Sequence, residues 1–271
     1  KIAISLSSGI DSTLSLGLIR KVFPSKKIKS YCGVFENDSD ESTIAKKIAE
    51  KFGSDFQIIK MESVFKNMPE IIHISKKPRW NTFNHIIARE AKKYSNILVT
   101  GDGADELFGG YTYRYEKFLN LLNPNDSWKT KVIKYLEFHN RDWVPDQEKM
   151  FGNRINFRWS DIHYYFKNYF NNELHPLKQV MLADYNGKLL FDFIPTANSI
   201  YRYYKIKGIP IFLNPNVITF SKGLPIVQKY DSKSKKGKLT LRIIAKRLGV
   251  NHIDEKKGFS PSLLIDWRDH G

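Results

Sequence analysis

The chain has 271 residues, 41% hydrophobic and 27% charged, a composition that suits a protein with a buried core of its own. Its net charge of +16 favours anionic partners such as nucleotides, nucleic acids or acidic proteins, although a lysine-rich solvated surface accounts for it equally well. The one cysteine, Cys32, excludes an internal disulfide, and no apolar run approaches the roughly 20 residues that a membrane helix needs.

The first hundred residues alternate between strand and helix patterns. Because parallel strands connected by helices form a sheet with helices on both faces, this alternation predicts an α/β fold built on a parallel twisted sheet. The predicted strands are Lys1–Leu6, Lys29–Phe35, Asp55–Met61 and Asn96–Thr100, and the predicted helices are Thr13–Val22, Asp40–Phe52 and Asn81–Lys93.

From about residue 121 the chain becomes dense in aromatic and basic residues, and the alternation typical of strands disappears. We therefore expect the C-terminal part to be largely helical. The chain has no initiator methionine, and Lys1 already lies within a strand pattern. We expect a fragment, and whether an N-terminal domain has been removed stays open.

The turn after the first predicted strand contains Ser7, Ser8, Gly9, Asp11 and Ser12. In open parallel sheets, ligands bind at the carboxyl ends of the strands, where helix N-termini also lie. Hydroxyls and unhindered N–H groups suit a phosphate, and a carboxylate beside a phosphate calls for a cation, most simply Mg²⁺ at Asp11. Neither a G-x-G-x-x-G dinucleotide loop nor a Walker A loop is present here. For this turn alone, a small polar connection without function is the alternative.

The turn after the fourth predicted strand, residues 100–111, reads TGDGADELFGGY. Three acidic residues within five positions, flanked by four glycines, are hard to explain by packing. They predict a tight turn that offers carboxylates to a metal and backbone to a ligand. The ligand spacing and closing glutamate of a calcium-binding EF-hand are absent.

Together the two turns resemble the synthetase domain of the asparagine synthetase family, within the ATP pyrophosphatase (PP-loop) superfamily. The family's first loop, S-G-G-x-D-S, matches Ser7–Ser12 except that Ser8 replaces the first glycine. Its second loop, S-G-x-G-A-D-E-L-F-G-G-Y, matches Thr100–Tyr111 with Thr100 in place of the serine. Shorter matches to the family's second strand and helix, its K-x-x-L-R motif and its K-x-G-F motif are Gly33–Glu36 with Asp40-Glu41, Lys238–Arg242 and Lys256–Phe259.

The resemblance implies that ATP lies across the sheet edge, with its pyrophosphate in the Ser7–Ser12 loop and Mg²⁺ held by Asp11 and Asp105. Lys238 and Lys256 would act with Asp105 in catalysis by stabilising the charge that develops as pyrophosphate leaves. Lys257 is an alternative to Lys256, because the lysine doublet leaves the register ambiguous by one, and a solvated basic face is the alternative for all three lysines. The backbone positions implied to contact adenosine are Val34, Thr100 and Gly101.

The resemblance also implies a reaction. The family activates a carboxylate by its attack on the α-phosphorus of ATP, which gives an acyl-adenylate and pyrophosphate, and a nitrogen nucleophile then displaces AMP. This implies an ATP- and Mg²⁺-dependent carbon–nitrogen ligase of the asparagine biosynthesis type, with a carboxylate substrate. Its nitrogen donor would be ammonia or a glutaminase domain or subunit. Nothing in this chain resembles the family's glutaminase domain. No enzyme nucleophile is required, which agrees with the absence of a Ser-His-Asp or Cys-His arrangement.

By the same resemblance we expect a single asparagine-synthetase-like domain over residues 1–271. Residues 1–120 would form its nucleotide-binding core, and residues 121–271 a mainly helical region that completes the active site. We expect a cytoplasmic protein without a membrane partner. Whether the chain forms a homo-oligomer stays open. Binding of nucleic acid also stays open, although nucleic acid is not the expected partner.

The substrate end departs from the family pattern D-R-x-S-M-A … E-x-R-x-P-F-L-D. The corresponding residues, Ala197–Ile200 and Ile206–Asn214, lack its aspartate, glutamate and both arginines. Losing the charges that recognise an amino acid costs specificity, so we expect an acceptor other than free aspartate, bulkier or more anionic. Intramolecular amide closure, as in the related β-lactam synthetases, stays open.

Two other hypotheses compete with the ligase. A tRNA-modifying PP-loop enzyme would use the basic, aromatic-rich middle as an RNA platform. Against it, Gly103–Tyr111 has the asparagine-synthetase form, and no zinc or paired-cysteine module is present. A catalytically altered homologue that only binds nucleotide agrees with the lost substrate residues, whereas the retained Asp11, Asp105 and Lys256 argue against it.

Overall fold

The computed structural model describes residues 1–35, 39–61, 63–77, 84–139 and 159–250. Within these residues five strands form one parallel sheet in the order β3-β2-β1-β4-β5. The strands are β1 (Ile2–Ser5), β2 (Ile28–Val34), β3 (Asp55–Lys60), β4 (Ile97–Thr100) and β5 (Lys207–Pro210).

Helices connect the strands and make up most of the described residues of the C-terminal half. A π-helix (Tyr185–Phe193), two 3-10 turns (Ile211–Leu213 and Ile226–Gln228) and a short hairpin of β6 (Tyr230–Asp231) and β7 (Lys236–Gly237) lie among them. The α-helices are α1 (Ile10–Val22), α2 (Ser39–Lys51), α3 (Val64–Ser75), α4 (Asn84–Lys92), α5 (Ala104–Phe108), α6 (Thr112–Leu121), α7 (Trp128–Glu137), α8 (Trp159–Phe170), α9 (Pro176–Asp184), α10 (Ile194–Tyr203), α11 (Pro215–Gly223) and α12 (Leu239–Arg247).

The sheet is buried on both faces because successive side chains of a strand point to opposite sides. Ala3 and Leu98 pack with α3, α4 and α10 on one face. Their neighbours Ile4 and Val99 pack with α1 and α2 on the other face. The predicted fold class, a parallel sheet with helices on both faces, is confirmed.

The strand order reverses between β1 and β4. The chain runs outward from β1 through β2 to β3, and then returns to the opposite side of β1, where Ala3 pairs with Leu98 and Ile4 with Val99. In sheets of this kind a crevice opens at the carboxyl ends of the two strands that flank the reversal. The two loops singled out by the sequence follow β1 and β4.

The helical region has its own aromatic core. Tyr115 and Phe118 of α6, Tyr135 of α7 and Phe170 of α8 pack together, and all four are buried. Helix α5, which follows β4, packs against α9, α11 and α12 and so connects the sheet with this region. No helix among the described residues combines the length and the apolar character needed to cross a membrane.

Several elements were not expected from the sequence, among them α5 within the predicted tight turn of residues 100–111 and the β6–β7 hairpin in the part predicted as helical. Two more are α3 and β5. Helix α3 contains Pro69, which lacks the N–H of a regular helical turn, and it begins at Ser63, whose hydroxyl accepts from the N–H groups of Phe65 and Lys66. Strand β5 has four residues, including a glycine and a proline, and it pairs along β4 at the sheet edge. Pro69 argues against a helix in the first sequence, and the glycine and proline argue against a strand in the second, so tertiary packing decides their conformation.

Candidate active site

The two acid-bearing loops meet at the reversal of the sheet. Ser7–Gly9 lead from β1 towards α1, and residues 101–103 lead from β4 into α5. A Cβ atom at Gly101 would lie 2.9 Å from the Cβ of Asp11 and 3.3 Å from the backbone nitrogen of Ser12. Glycine at 101 therefore lets the second loop lie directly against the first turn of α1.

Hydrogen bonds between Ser7 and Ser12 close the first loop. The Ser7 N–H donates to Ser12 Oγ over 3.0 Å, and the two hydroxyl oxygens are 3.0 Å apart. The Ser12 hydroxyl donates to a backbone carbonyl, with those of Ser7 and Gly9 each 3.1 Å away. These two hydroxyls shape the loop, and Ser8 is partly buried at its turn. The N-cap residue of α1 is Gly9, which has no side chain with which to cap the helix, and this suits a phosphate at that point.

Glycines fix the second loop around the short helix α5. Gly103 and Gly109 flank the helix with φ angles of +88° and +79°, in the left-handed region that glycine adopts without a steric penalty. Thr100, the last residue of β4, donates from its hydroxyl to Oδ2 of Asp102 over 2.7 Å. Within α5, Asp105 contacts Lys238, whereas Glu106 accepts a hydrogen bond from the Tyr111 hydroxyl over 2.6 Å.

One ammonium group joins the two loops. Lys238 Nζ lies 2.6 Å from Oδ2 of Asp11 and 2.6 Å from Oδ1 of Asp105, so these oxygens are at most twice that distance apart. The exposed fractions of the three side chains are 6%, 15% and 9%, respectively. Two carboxylates this close repel one another in a poorly solvated site, and the lysine stabilises their approach. The structure thus brings together Asp11, Asp105 and Lys238, which are far apart in sequence.

The β6–β7 hairpin positions Lys238. This residue follows β7 with a φ of +56°, and its N–H donates to the carbonyl oxygen of Phe108 over 3.1 Å. A Cβ at Gly237 would overlap the carbonyl oxygen of Gly109, and a Cβ at Gly110 would overlap Oδ1 of Asp105. Glycine at 237 therefore permits backbone contact between the hairpin and the second loop, and glycine at 110 leaves room for the Asp105–Lys238 ion pair.

The remaining sequence-predicted residues lie on the same edge of the sheet or outside the described part. Val34 ends β2, which neighbours β1 on the side opposite to β4, so Val34 and Thr100 flank the first loop. This order is the one expected if adenosine lies across the strand ends. Lys256 and its alternative Lys257 fall outside the described residues, as does Glu36.

Sequence reasoning did not identify the Glu106–Tyr111 pair as part of the site. Glu106 is buried and Tyr111 is partly buried, and burial together with the charge of Asp105 raises the pKa of Glu106 to about 7. The pKa of Tyr111 is raised by burial and by the Glu106 carboxylate. The only sequence signal for this pair was their place in the second loop, five residues apart.

Tyr201 is the other residue that sequence reasoning missed. It comes from α10, and its ring lies so close to Gly208 of β5 that a Cβ there would overlap it. Burial raises its pKa, and the carboxylate of Asp102 adds to the effect. The segment that departs from the family pattern, which includes part of α10 and all of β5, thus lies beside the second loop.

The donor set fits a magnesium ion that arrives with its nucleotide. Mg²⁺ keeps several waters and is held by one or two carboxylates together with substrate phosphates. Asp11 and Asp105 converge on one cation and could supply such carboxylates. Among the described residues no group of three or more His, Cys, Asp or Glu side chains could hold a metal unaided.

Comparison with known proteins gives a family and partial relatives. The asparagine synthase family model matches residues 1–263. Asparagine synthetase [glutamine-hydrolyzing] 1 of Bacillus subtilis (strain 168) is 32% identical over 121 residues, covering 43% of this chain and 19% of that protein. Amidase chry2 of Gibberella zeae and amidase chyE of Penicillium rubens are each 30% identical over 149 residues, covering 47% of this chain and 22% of theirs.

The chain spans about a fifth of the length of these curated relatives. The family match, in contrast, covers nearly the whole chain and includes both loops, Lys238 and residues 251–263. The resemblance inferred from the two loops is confirmed. The chain belongs to the asparagine synthase family.

Proposed function

We propose that this chain adenylates a substrate carboxylate with ATP, releases pyrophosphate, and transfers the acyl group to a nitrogen nucleophile. The observation that carries the proposal is the convergence of Asp11 and Asp105 on Lys238 at the strand reversal. A buried cluster of two acids and one lysine at this position has the charges required to hold a metal–triphosphate and to neutralise the pyrophosphate as it leaves.

Each part of the cluster has a role in the proposal. The first loop and the start of α1 bind the pyrophosphate through backbone N–H groups, with the Ser7–Ser12 hydrogen bonds holding the loop in shape. Asp11 and Asp105 would hold Mg²⁺, which when bound would neutralise phosphate charge. Lys238 supplies a fixed cation at the same point, and Lys256 or Lys257 would add a second.

The adenosine and the acceptor occupy different parts of the site in this proposal. Adenosine contacts the backbone at Val34, Thr100 and Gly101, along the edge formed by β2, β1 and β4. The acceptor lies beside Asp102 and Tyr201, where α10 and β5 lack the family's recognition charges. An acid other than free aspartate therefore fits best. Ammonia, or ammonia released by a glutaminase domain or subunit, serves as the nitrogen donor.

The test is a pyrophosphate-release assay with ATP, Mg²⁺, ammonia and a panel of carboxylic acids. We expect carboxylate-dependent release by the wild type, and a fall in kcat/KM of about 100- to 1000-fold in Lys238→Met and Asp105→Asn, because each removes a charge preorganised for the transition state. Lys246→Met, which removes an exposed lysine from α12, is the matched control and should leave the rate unchanged. Equal rates in the wild type and Asp105→Asn with every acid would exclude the proposal.

A further inference from the structure

A cavity of about 210 Å³ lies on the side of α5 that faces α9 and α11. By the volume that water occupies in the liquid, this is room for about seven water molecules or one small organic molecule. Its walls include the apolar side chains of Leu107, Met181 and Leu182 and the ring of Tyr185. The polar lining is mostly cationic and consists of Lys178, Lys222 and Lys229, with Ser221 and the carboxyl of Glu106.

Lys229 is the unusual member of this lining. It is only 4% exposed, and no carboxylate of the described residues lies within 4.0 Å of its ammonium. Burial, together with the charge of Lys178, lowers its pKa to about 8. A buried cation without an anion is costly, and lysine normally avoids this by extending its flexible side chain to solvent.

The backbone holds Lys229 in place. Its N–H donates to the carbonyl oxygen of Ile226 over 2.8 Å, and its own carbonyl oxygen accepts from the N–H of Leu239 over 3.2 Å. A Cβ atom added at Gly109 would lie 3.5 Å from the Cβ of Lys229, so Lys229 packs directly behind the second loop. These contacts fix the backbone of Lys229 directly before the hairpin that positions Lys238, and its side chain lines the cavity.

We propose that this cavity is a binding site for a small organic acid, whose carboxylate pairs with Lys229 and whose apolar body packs on Leu107, Met181 and Leu182. A monocarboxylate fits better than a phosphate for two reasons. The walls are largely apolar. The carboxyl of Glu106 lies in the same lining, and it disfavours a ligand with two negative charges more than a ligand with one. The site is distinct from the Asp11–Asp105–Lys238 cluster and does not depend on the ligase activity.

The test measures the binding of hexanoate to the full chain by calorimetry, without ATP or Mg²⁺, at pH 7. We expect saturable binding that weakens at least tenfold in Lys229→Met, a substitution that keeps the length and apolar stem of the side chain. Lys246→Met should bind hexanoate as the wild type does, and uncharged hexanamide should bind at least tenfold more weakly than hexanoate. Absence of saturable hexanoate binding, or equal affinity in wild type and Lys229→Met, would overturn the proposal.

A second measurement guards against an indirect effect of the substitution. In the wild type, bound hexanoate should raise the pKa of Lys229 by at least one unit, because a nearby anion stabilises the ammonium form. Lysine-selective NMR follows this titration, with Lys178 and Lys222 as internal references and Glu106 and Tyr185 as the other titratable groups facing the cavity. An unchanged Lys229 titration at saturating hexanoate would contradict the proposal. A failed pyrophosphate-release assay would leave this binding test unaffected.

Discussion

At the scale of single residues, the site consists of charged side chains that are buried in the folded protein. Asp105, Glu106 and Lys238 are all less than a tenth exposed. Asp105 has Lys238 as its partner, whereas Glu106 accepts a hydrogen bond from the neutral hydroxyl of Tyr111. Asp105 and Glu106, which are adjacent in α5, therefore differ in whether a cation neutralises the carboxylate. Asp105, which is paired with a lysine, suits metal binding. Glu106 has the raised pKa, so its ionisation destabilises the folded state.

The pH dependence of stability should show this difference. The pKa of Glu106 is about 7 in the folded protein and 4.5 in an exposed glutamate, so between these values the folded state binds more protons. Stability from this group is thus fully present below about pH 4.5 and falls as the pH rises to 7, by on the order of 3 kcal/mol.

Urea unfolding at pH 5 and pH 8 measures this effect. Glu106→Gln keeps an acceptor for the Tyr111 hydroxyl and cannot ionise, so the variant should lose less stability than the wild type between the two pH values. Parallel pH profiles for the two proteins would contradict the assigned pKa.

Some residues of the site could be predicted from the sequence, but the contacts between them could not. Asp11 and Asp105 were identified because each lies in a turn after a predicted strand, and the family motif pointed to Lys238. Their mutual contact was not predictable, because Lys238 and Asp11 are 227 residues apart and no local pattern records that separation. Tyr201 was missed for a similar reason, since it enters the site only through the packing of α10 on β5.

At the scale of elements, glycines determine how closely the loops and the hairpin approach. The four strands and three helices predicted in the first hundred residues followed from alternation and helical periodicity to within a few positions, whereas α3 was missed. Helix α1 begins at Ile10 rather than Thr13, because Gly9 accepts from the Thr13 N–H and hydroxyl. Close approach of two backbones leaves no periodic signal in the sequence, only isolated glycines.

Gly110→Ala tests this dependence on glycine. A Cβ at 110 would overlap Oδ1 of Asp105 and lie 2.5 Å from Cε of Lys238, so the ion pair must be displaced. We expect ATP affinity, measured by calorimetry with Mg²⁺, to fall at least tenfold.

The matched control for Gly110→Ala is Gly223→Ala. A Cβ at this last residue of α11 would meet nothing within 4 Å, so the substitution should leave ATP affinity unchanged and add up to about 1 kcal/mol of stability. Equal ATP affinity in Gly110→Ala and the wild type would show that the second loop has no part in nucleotide binding.

At the scale of the whole molecule, the strand order explains why the site forms where it does. The sheet reverses between β1 and β4, so the two acid-bearing loops emerge side by side although nearly ninety residues separate them. The alternation of strands and helices was sufficient to predict a parallel sheet. It did not predict that β5, from the second half of the chain, completes the sheet beside β4.

The central claim is that these two loops jointly hold a metal–triphosphate. The most direct measurement is a crystal structure with a non-hydrolysable ATP analogue and Mn²⁺ in place of Mg²⁺, with data collected for the anomalous signal of manganese. We predict an anomalous peak about 2.1–2.3 Å from a carboxylate oxygen of Asp11 and of Asp105, with the phosphates in the Ser7–Ser12 loop. A peak and phosphates at another place, with Asp11 and Asp105 still bound to Lys238, would contradict the claim.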